Sequence, residues 1–217
     1  MADKIKEAYH SSINIYDDVL TQGNFLSRLY IKIFWSGTDD LAIARRVLSC
    51  IPEDFGGMIL DVPVGTAVFT ESNWKSLSKA QIICLDYSED MIELARKRLH
   101  GCSNVSCVQG DVGALPMNNA FFDVVLSMNG FHAFPDKERA FEETWRVLKP
   151  GGKFIACFYI KGKSGITDWL VNHILSKKGW FTPPFPTEEQ LRNTLNRLYK
   201  DIDFHIDGSM VYFCCTK

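Results

Sequence analysis

The chain has 217 residues, with 24 Lys and Arg against 26 Asp and Glu for a formal charge of −2. Hydrophobic residues at 46% and charged residues at 23% exclude whole-chain disorder, and the near-neutral balance speaks against a dedicated nucleic-acid binder. Mean hydropathy is −0.07, and no apolar run nears the roughly 18 residues of a membrane span.

The opening stretch MADKIKEAYHSS has no apolar secretory core, so a cytoplasmic location is expected. Residues 1–56 read as a mainly helical, aromatic-rich cover carrying Tyr9, Tyr16, Phe25, Tyr30, Phe34 and Trp35. From Gly57 to about Tyr159 short apolar runs alternate with amphipathic stretches. MILDV (58–62) and QIICLD (81–86) read as strands, and SEDMIELARKRL after them reads as a helix. Ser88 is its expected N-cap, and Met91, Leu94, Ala95 and Leu99 form its apolar stripe. VSCVQ (105–109) and FDVVLSM (122–128) are further strands. KERAFEETWRVL (137–148) is a helix stopped by Pro150-Gly151-Gly152, ahead of a fifth strand, KFIACFYI (153–160). Apolar strands alternating with helices predict a parallel sheet covered on both faces.

Residues 161–186 form an insertion with an amphipathic piece and a Pro-rich end. A helix over about Thr187 to Tyr199 leads to DIDFHID (201–207) and MVYFCC (210–215), joined through Gly208-Ser209. That spacing predicts an antiparallel hairpin closing the chain. The seven cysteines are odd in number and show no C-x-x-C or zinc spacing, which points to buried thiols in a reducing compartment and to no metal site.

Asp61, Asp86 and Asp111 end or follow three successive strands at equal intervals of 25 residues. Ligands of open parallel sheets sit at the carboxyl ends of the strands, where such acids can meet an amine and ribose hydroxyls. The turn ILDVPVGTAVF keeps Gly65 but has Pro63 and Ala67 where a phosphate-cradling loop wants glycine, and Pro63 lacks an N–H. A ligand without phosphate loses less from this. Asp86 is placed to accept from vicinal hydroxyls, with Tyr87 and Met91 flanking an adenine face. Asp111 in QGDVGALP can accept from an exocyclic amine, and the Val112 N–H can donate to a ring nitrogen. The combination points to S-adenosylmethionine.

Residues 58–160 closely resemble the class I, Rossmann-like methyltransferases that use S-adenosylmethionine, in particular the ubiquinone and menaquinone biosynthesis group (methyltransferase type 11-like). The resemblance rests on ILDVPVGTA at the position of D-x-G-x-G-x-G, on ICLDYSEDMIELARKR, on QGDVGALPMNNAFFDVVLSMNGFHAFPD and on RVLKPGGKF. It implies a doubly wound α/β fold with a mostly parallel seven-stranded sheet and an antiparallel last strand. Residues 57–217 would be the cofactor-binding core, with 161–186 on the substrate side. It further implies that Asp61 lies near the methionine amine. Pro63, Val64, Gly65 and Thr66 would pass close to the methionine and ribose, Gly110 would accompany Asp111, and Met128, Asn129 and Gly130 would line the methyl side. His132 is the candidate base. Tyr16, Tyr30, Trp35, His132 and Trp169 would face the substrate, with Trp180, Phe181 and Phe185 making the chamber apolar.

The expected activity is methyl transfer to a small, apolar or aromatic molecule, leaving S-adenosylhomocysteine. A binding subunit that holds the cofactor without turnover, and an RNA or protein methyltransferase, are the alternatives. A nicotinamide oxidoreductase is disfavoured by Pro63 and Ala67. No nucleic-acid partner and no membrane span are expected, and self-association is left open.

Overall fold

The computed structural model describes residues 40–217. Tyr16, Tyr30 and Trp35 lie outside them. The chain runs α1 (Asp40–Leu48), β1 (Met58–Asp61), α2 (Glu71–Ser76), β2 (Gln81–Asp86), α3 (Glu89–Arg98), β3 (Val105–Gln109), β4 (Phe122–Met128), α4 (Lys137–Val147) and β5 (Leu148–Tyr159). It continues through α5 (Gly165–Leu170), a π-helical turn (Val171–Leu175), α6 (Glu188–Leu198), β6 (Lys200–Asp207) and β7 (Met210–Thr216).

The strands form a seven-stranded sheet in the order β3-β2-β1-β4-β5-β7-β6. β1 pairs in parallel with both β2 and β4, and only β7 opposes its neighbours. The fold is therefore Rossmann-like α/β, as the alternation of runs predicts. The hairpin falls at Gly208-Ser209 as expected, with Gly208 at φ +57°, a conformation glycine adopts without penalty.

Period-two alternation divides the core into two layers. Ile59, Val124, Leu126, Ile155, Cys157 and Tyr159 face one side, where α1, α2, α3 and the insertion pack. Leu60, Val125, Phe154, Ala156 and Phe158 face the other, beneath α4 and α6. Of the expected N-terminal cover, α1 is described, and it buries Ile43, Ala44, Val47 and Leu48 in the first layer.

Two local expectations are adjusted. Ser88 occupies the N-cap position of α3, yet its hydroxyl makes no capping bond; its N–H instead donates to Asp86 Oδ1 at 2.9 Å. β5 starts at Leu148, which pairs with Phe122, so Pro150-Gly151-Gly152 lies inside an irregular stretch of strand and α4 has already ended.

Candidate active site

The chain moves outward from β1 to β2 and β3, then returns to place β4 on the other flank of β1. At this reversal the loops beyond β1 and β4 part, leaving a crevice at the carboxyl ends of the strands. A cleft of about 1140 Å³, counted to its open mouth, occupies that place. Its walls include Asp61, Pro63, Val64, Gly65 and Thr66 from the first loop, and Asp86, Tyr87 and Met91 from β2 and α3. Gly110, Asp111 and Val112 follow β3, and Met128 and Asn129 close it beyond β4.

Asp61 points to the first core layer and is 1% exposed. Trp74 Nε1 and Thr70 Oγ1 donate to its Oδ2 at 2.8 and 3.1 Å. Thr70 stands at the N-cap position of α2 but turns its hydroxyl to Asp61 rather than to the helix start. Burial raises the Asp61 carboxyl to about 7, against the pull of those two donors. Asp86 accepts from the Gly65 N–H through Oδ2 and from the Ser88 N–H through Oδ1, both at 2.9 Å. Burial carries it to about 6, while these backbone donors hold it down. Each Asp86 oxygen has a second lone pair for a ligand hydroxyl. Asp111 is exposed, and its Oδ1 accepts from Gly113 N–H at 2.8 Å, fixing the turn that opens the short 3-10 helix Val112–Ala114.

The first loop is stitched to both neighbouring strands. Val62 N–H donates to Leu126 O and Val64 N–H to Leu85 O, each at 2.9 Å. Gly65 adopts φ +56° and Ala67 φ +61°, so Ala67 holds the left-handed conformation at the place where the motif carries glycine. Beyond β4, Asn129 also takes a positive φ of 54° and donates its N–H to Cys157 O at 2.8 Å. Its Oδ1 is buried in the cleft wall without a hydrogen-bond partner among the described residues. A buried acceptor of this kind is costly to leave unpaired, and a ligand donor in the cleft is one group that can pair it. An ammonium or hydroxyl group would suit it, and with Asp61, Asp86 and Asp111 on the same wall the cleft offers acceptors that suit an amino-acid-bearing nucleoside such as S-adenosylmethionine.

Five expected residues stand apart from the wall. Gly130 is buried beneath Pro63: a Cβ on it would lie 2.2 Å from Pro63 Cδ. His132 does not line the cleft among the described residues; it stacks on Phe181 with ring centres 3.9 Å apart and planes at 6°. It is 6% exposed, and burial, with the nearby Lys137 ammonium, holds its imidazole down at about 3, neutral at ordinary pH. Trp169 is 55% exposed and stacks on His173. Thr167, Val171 and Leu175 take the buried side of that segment, so Trp169 faces outward and is not among the residues of the cleft wall. Phe181 and Phe185 are buried against Tyr159 in the core, not around the cleft.

Sequence reasoning did not single out Trp74 or Thr70, whose contact with Asp61 depends on how α2 lies on β1. Phe69, Ala133, Phe134 and Pro135 also line the cleft. The last three belong to the quoted GFHAFPD stretch, so a motif signal was present, but no spacing rule told which of them face the ligand.

Sheet order, the carboxyl-rim cleft and the acids that meet there define a class I methyltransferase domain, the class whose cofactor is S-adenosylmethionine. Residues 60–156 match the family model described as "Methyltransferase domain", and the chain is similar to methyltransferases of ubiquinone and menaquinone biosynthesis. The chain is 36% identical over 112 residues to the demethylmenaquinone methyltransferase of Staphylococcus epidermidis, covering 51% of this chain and 46% of that protein. It is 28% identical over 183 residues to the ubiquinone/menaquinone biosynthesis C-methyltransferase UbiE of Yersinia pestis, covering 81% of this chain and 68% of that protein. The chain thus spans about half the length of the first of these relatives. A crystal structure of a SAM-dependent methyltransferase from Thermotoga maritima, described as a possible histamine N-methyltransferase, shares the fold. Its TM-score is 0.69 at 21% identity, over 98% of this chain and 99% of that one. No helix among the described residues is long and apolar enough to cross a membrane.

Proposed function

We propose that the chain transfers a methyl group from S-adenosylmethionine to a small apolar or aromatic acceptor. The cofactor supplies a methyl that is already electrophilic on its sulfonium, so the chain's own work is to orient, to enclose and to keep water out. Asp86 would accept from the ribose hydroxyls through the lone pairs that Gly65 and Ser88 leave open. Asp111 would accept from the adenine amine and the Val112 N–H would donate to the ring, with Tyr87 and Met91 against the adenine faces. Asp61 and Asn129 Oδ1 would meet the methionine amine, and Pro63, Val64, Gly65 and Thr66 would pass along the methionine and ribose. Met128 and Asn129 would face the methyl.

Phe69, Ala133, Phe134 and Pro135 give the cleft apolar surface of the kind that shelters an aromatic ring. The relatives described above are named for menaquinone and ubiquinone, and a quinone-like ring is the first acceptor to try. His132, secluded behind Phe181, is given no base role; proximity supplies on the order of 7–11 kcal/mol without one.

The observation that carries this reading is the meeting of Asp61, Asp86, Asp111 and Asn129, whose Oδ1 has no partner among the described residues, in one cleft at the switch in strand order. Calorimetric titration tests it: Asp86→Ala should weaken S-adenosylmethionine binding by about 1–3 kcal/mol, as the ribose loses a charged acceptor. An unchanged dissociation constant removes the site assignment. Formation of S-adenosylhomocysteine with a panel of aromatic acceptors then separates an enzyme from a subunit that only holds the cofactor.

A further inference from the structure

Among the described residues, Ile166 and Trp169 are the two most exposed large apolar side chains, at 69% and 55%. They lie three positions apart on α5 and so share one face. That face is held outward by construction. Thr167 is fully buried, Val171 and Leu175 are buried in the core, and Ser164 caps the helix start by accepting from Thr167 N–H. The segment's one acid, Asp168, is tied inward, accepting from Tyr159 Oη–H at 2.6 Å and from Gly162 N–H at 2.9 Å.

Lysines flank this apolar pair on both sides in the chain. Residues 161–182 carry Lys161, Lys163, Lys177 and Lys178 against Asp168 alone, four positive charges to one negative in a chain whose total is −2. Lys161, Lys177 and Lys178 are exposed; Lys163 pairs with Glu188, and Lys178 also lies over the Trp180 ring at 5.0 Å. Exposed Ile and Trp flanked by exposed lysines is the composition of a segment that lies in a bilayer interface, with the rings at headgroup depth and the ammonium groups on lipid phosphates. A protein partner would be served by the apolar pair, but it has no need of lysines at both ends of the segment. β5 runs parallel to β4, so this insertion leaves the sheet at the same rim as the cleft.

We propose that the α5 face, with its exposed Ile166 and Trp169 and the flanking Lys161, Lys177 and Lys178, docks on the surface of an anionic lipid bilayer. It binds from one side and spans nothing. Docking there turns the rim that carries the cleft toward the lipid. The inference is independent of the methyl-transfer reading.

Co-sedimentation of the full chain with vesicles tests it, comparing phosphatidylcholine alone with an equal mixture of phosphatidylcholine and phosphatidylglycerol. The chain should pellet with the mixed vesicles in dilute buffer, several-fold less with the neutral ones, and less again at high salt. Lys177→Gln with Lys178→Gln should lower the partition about 25-fold, at roughly fivefold per lysine. Ile166→Ser with Trp169→Ser should lower it at least about tenfold, with melting temperature and S-adenosylmethionine affinity unchanged. A chain that stays in the supernatant with anionic vesicles overturns the proposal, as does equal pelleting of the Ser pair. A dimer in sedimentation velocity that the Ser pair dissolves, without vesicle binding, makes the face a self-interface instead. Failure of the chain to bind S-adenosylmethionine strikes the methyl-transfer reading and leaves the vesicle result standing.

Discussion

Pro63 and Gly130 come from loops beyond different strands, and each restricts the other. The Pro63 ring rests where a Gly130 side chain would begin, and Phe134 Cζ and Ser127 Oγ, each 2.8 Å from that point, close the remaining space. Gly130→Ala should therefore destabilise the fold by about 1–3 kcal/mol, read as a lower melting temperature, because the rigid proline ring must move. A melting curve that does not shift would mean the loop yields freely. Asp86 and Asp111 were legible from sequence because an acid at a strand end is placed by the strand itself. The seclusion of His132 was not: whether that ring meets the cleft or Phe181 depends on how the insertion returns across β5. The role of Trp74 was hidden for the same reason, since 13 residues separate it from Asp61 and only packing of α2 on β1 joins them.

Helices were legible where their signals are local. α6 opens on a capping box, in which the Thr187 hydroxyl accepts from Gln190 N–H and the Gln190 side chain returns to the Thr187 N–H. Leu191 and Leu195 then turn its apolar side onto the sheet. Thr187→Ala should cost about 1 kcal/mol, measurable in chemical denaturation as a lower midpoint at unchanged slope; no change would place the helix start under tertiary control. α3 shows the limit of such signals. A serine in the cap position was expected to cap, but Asp86 takes its N–H, so the loop geometry serves the cleft acid and leaves the Ser88 hydroxyl without a partner among the described residues. β5 likewise begins before its apolar run because pairing of Leu148 with Phe122 supplies hydrogen bonds that composition does not announce.

At the scale of the molecule, burying two carboxylates in one cleft makes the protein respond to pH. Asp61 and Asp86 are raised to about 7 and about 6, from an ordinary value of 3.8, by desolvation. A raised acid holds its proton more tightly when folded, so its contribution to stability is complete below about 4 and is lost as pH rises through 6 and 7. Asp123 and Glu143, lowered by Lys149 and Arg146, contribute oppositely and lose their part as pH falls toward acid. A cationic ligand favours the ionised cleft. The thermal shift produced by S-adenosylmethionine should therefore grow from pH 5 to pH 8, and Asp86→Asn should flatten that rise. A shift that is constant across this range would show that the two acids carry no charge-dependent contact with the ligand.

Sequence by itself determined the alternation of strands and helices, the closing hairpin and the three acids at the strand ends, because each follows from short-range periodicity or from turn chemistry. Tertiary structure alone decided what those acids touch, which side of the insertion faces water, and that Gly130 yields its space to Pro63. Those outcomes rest on contacts between segments far apart in the chain, where the shape of one surface selects what its neighbour can be.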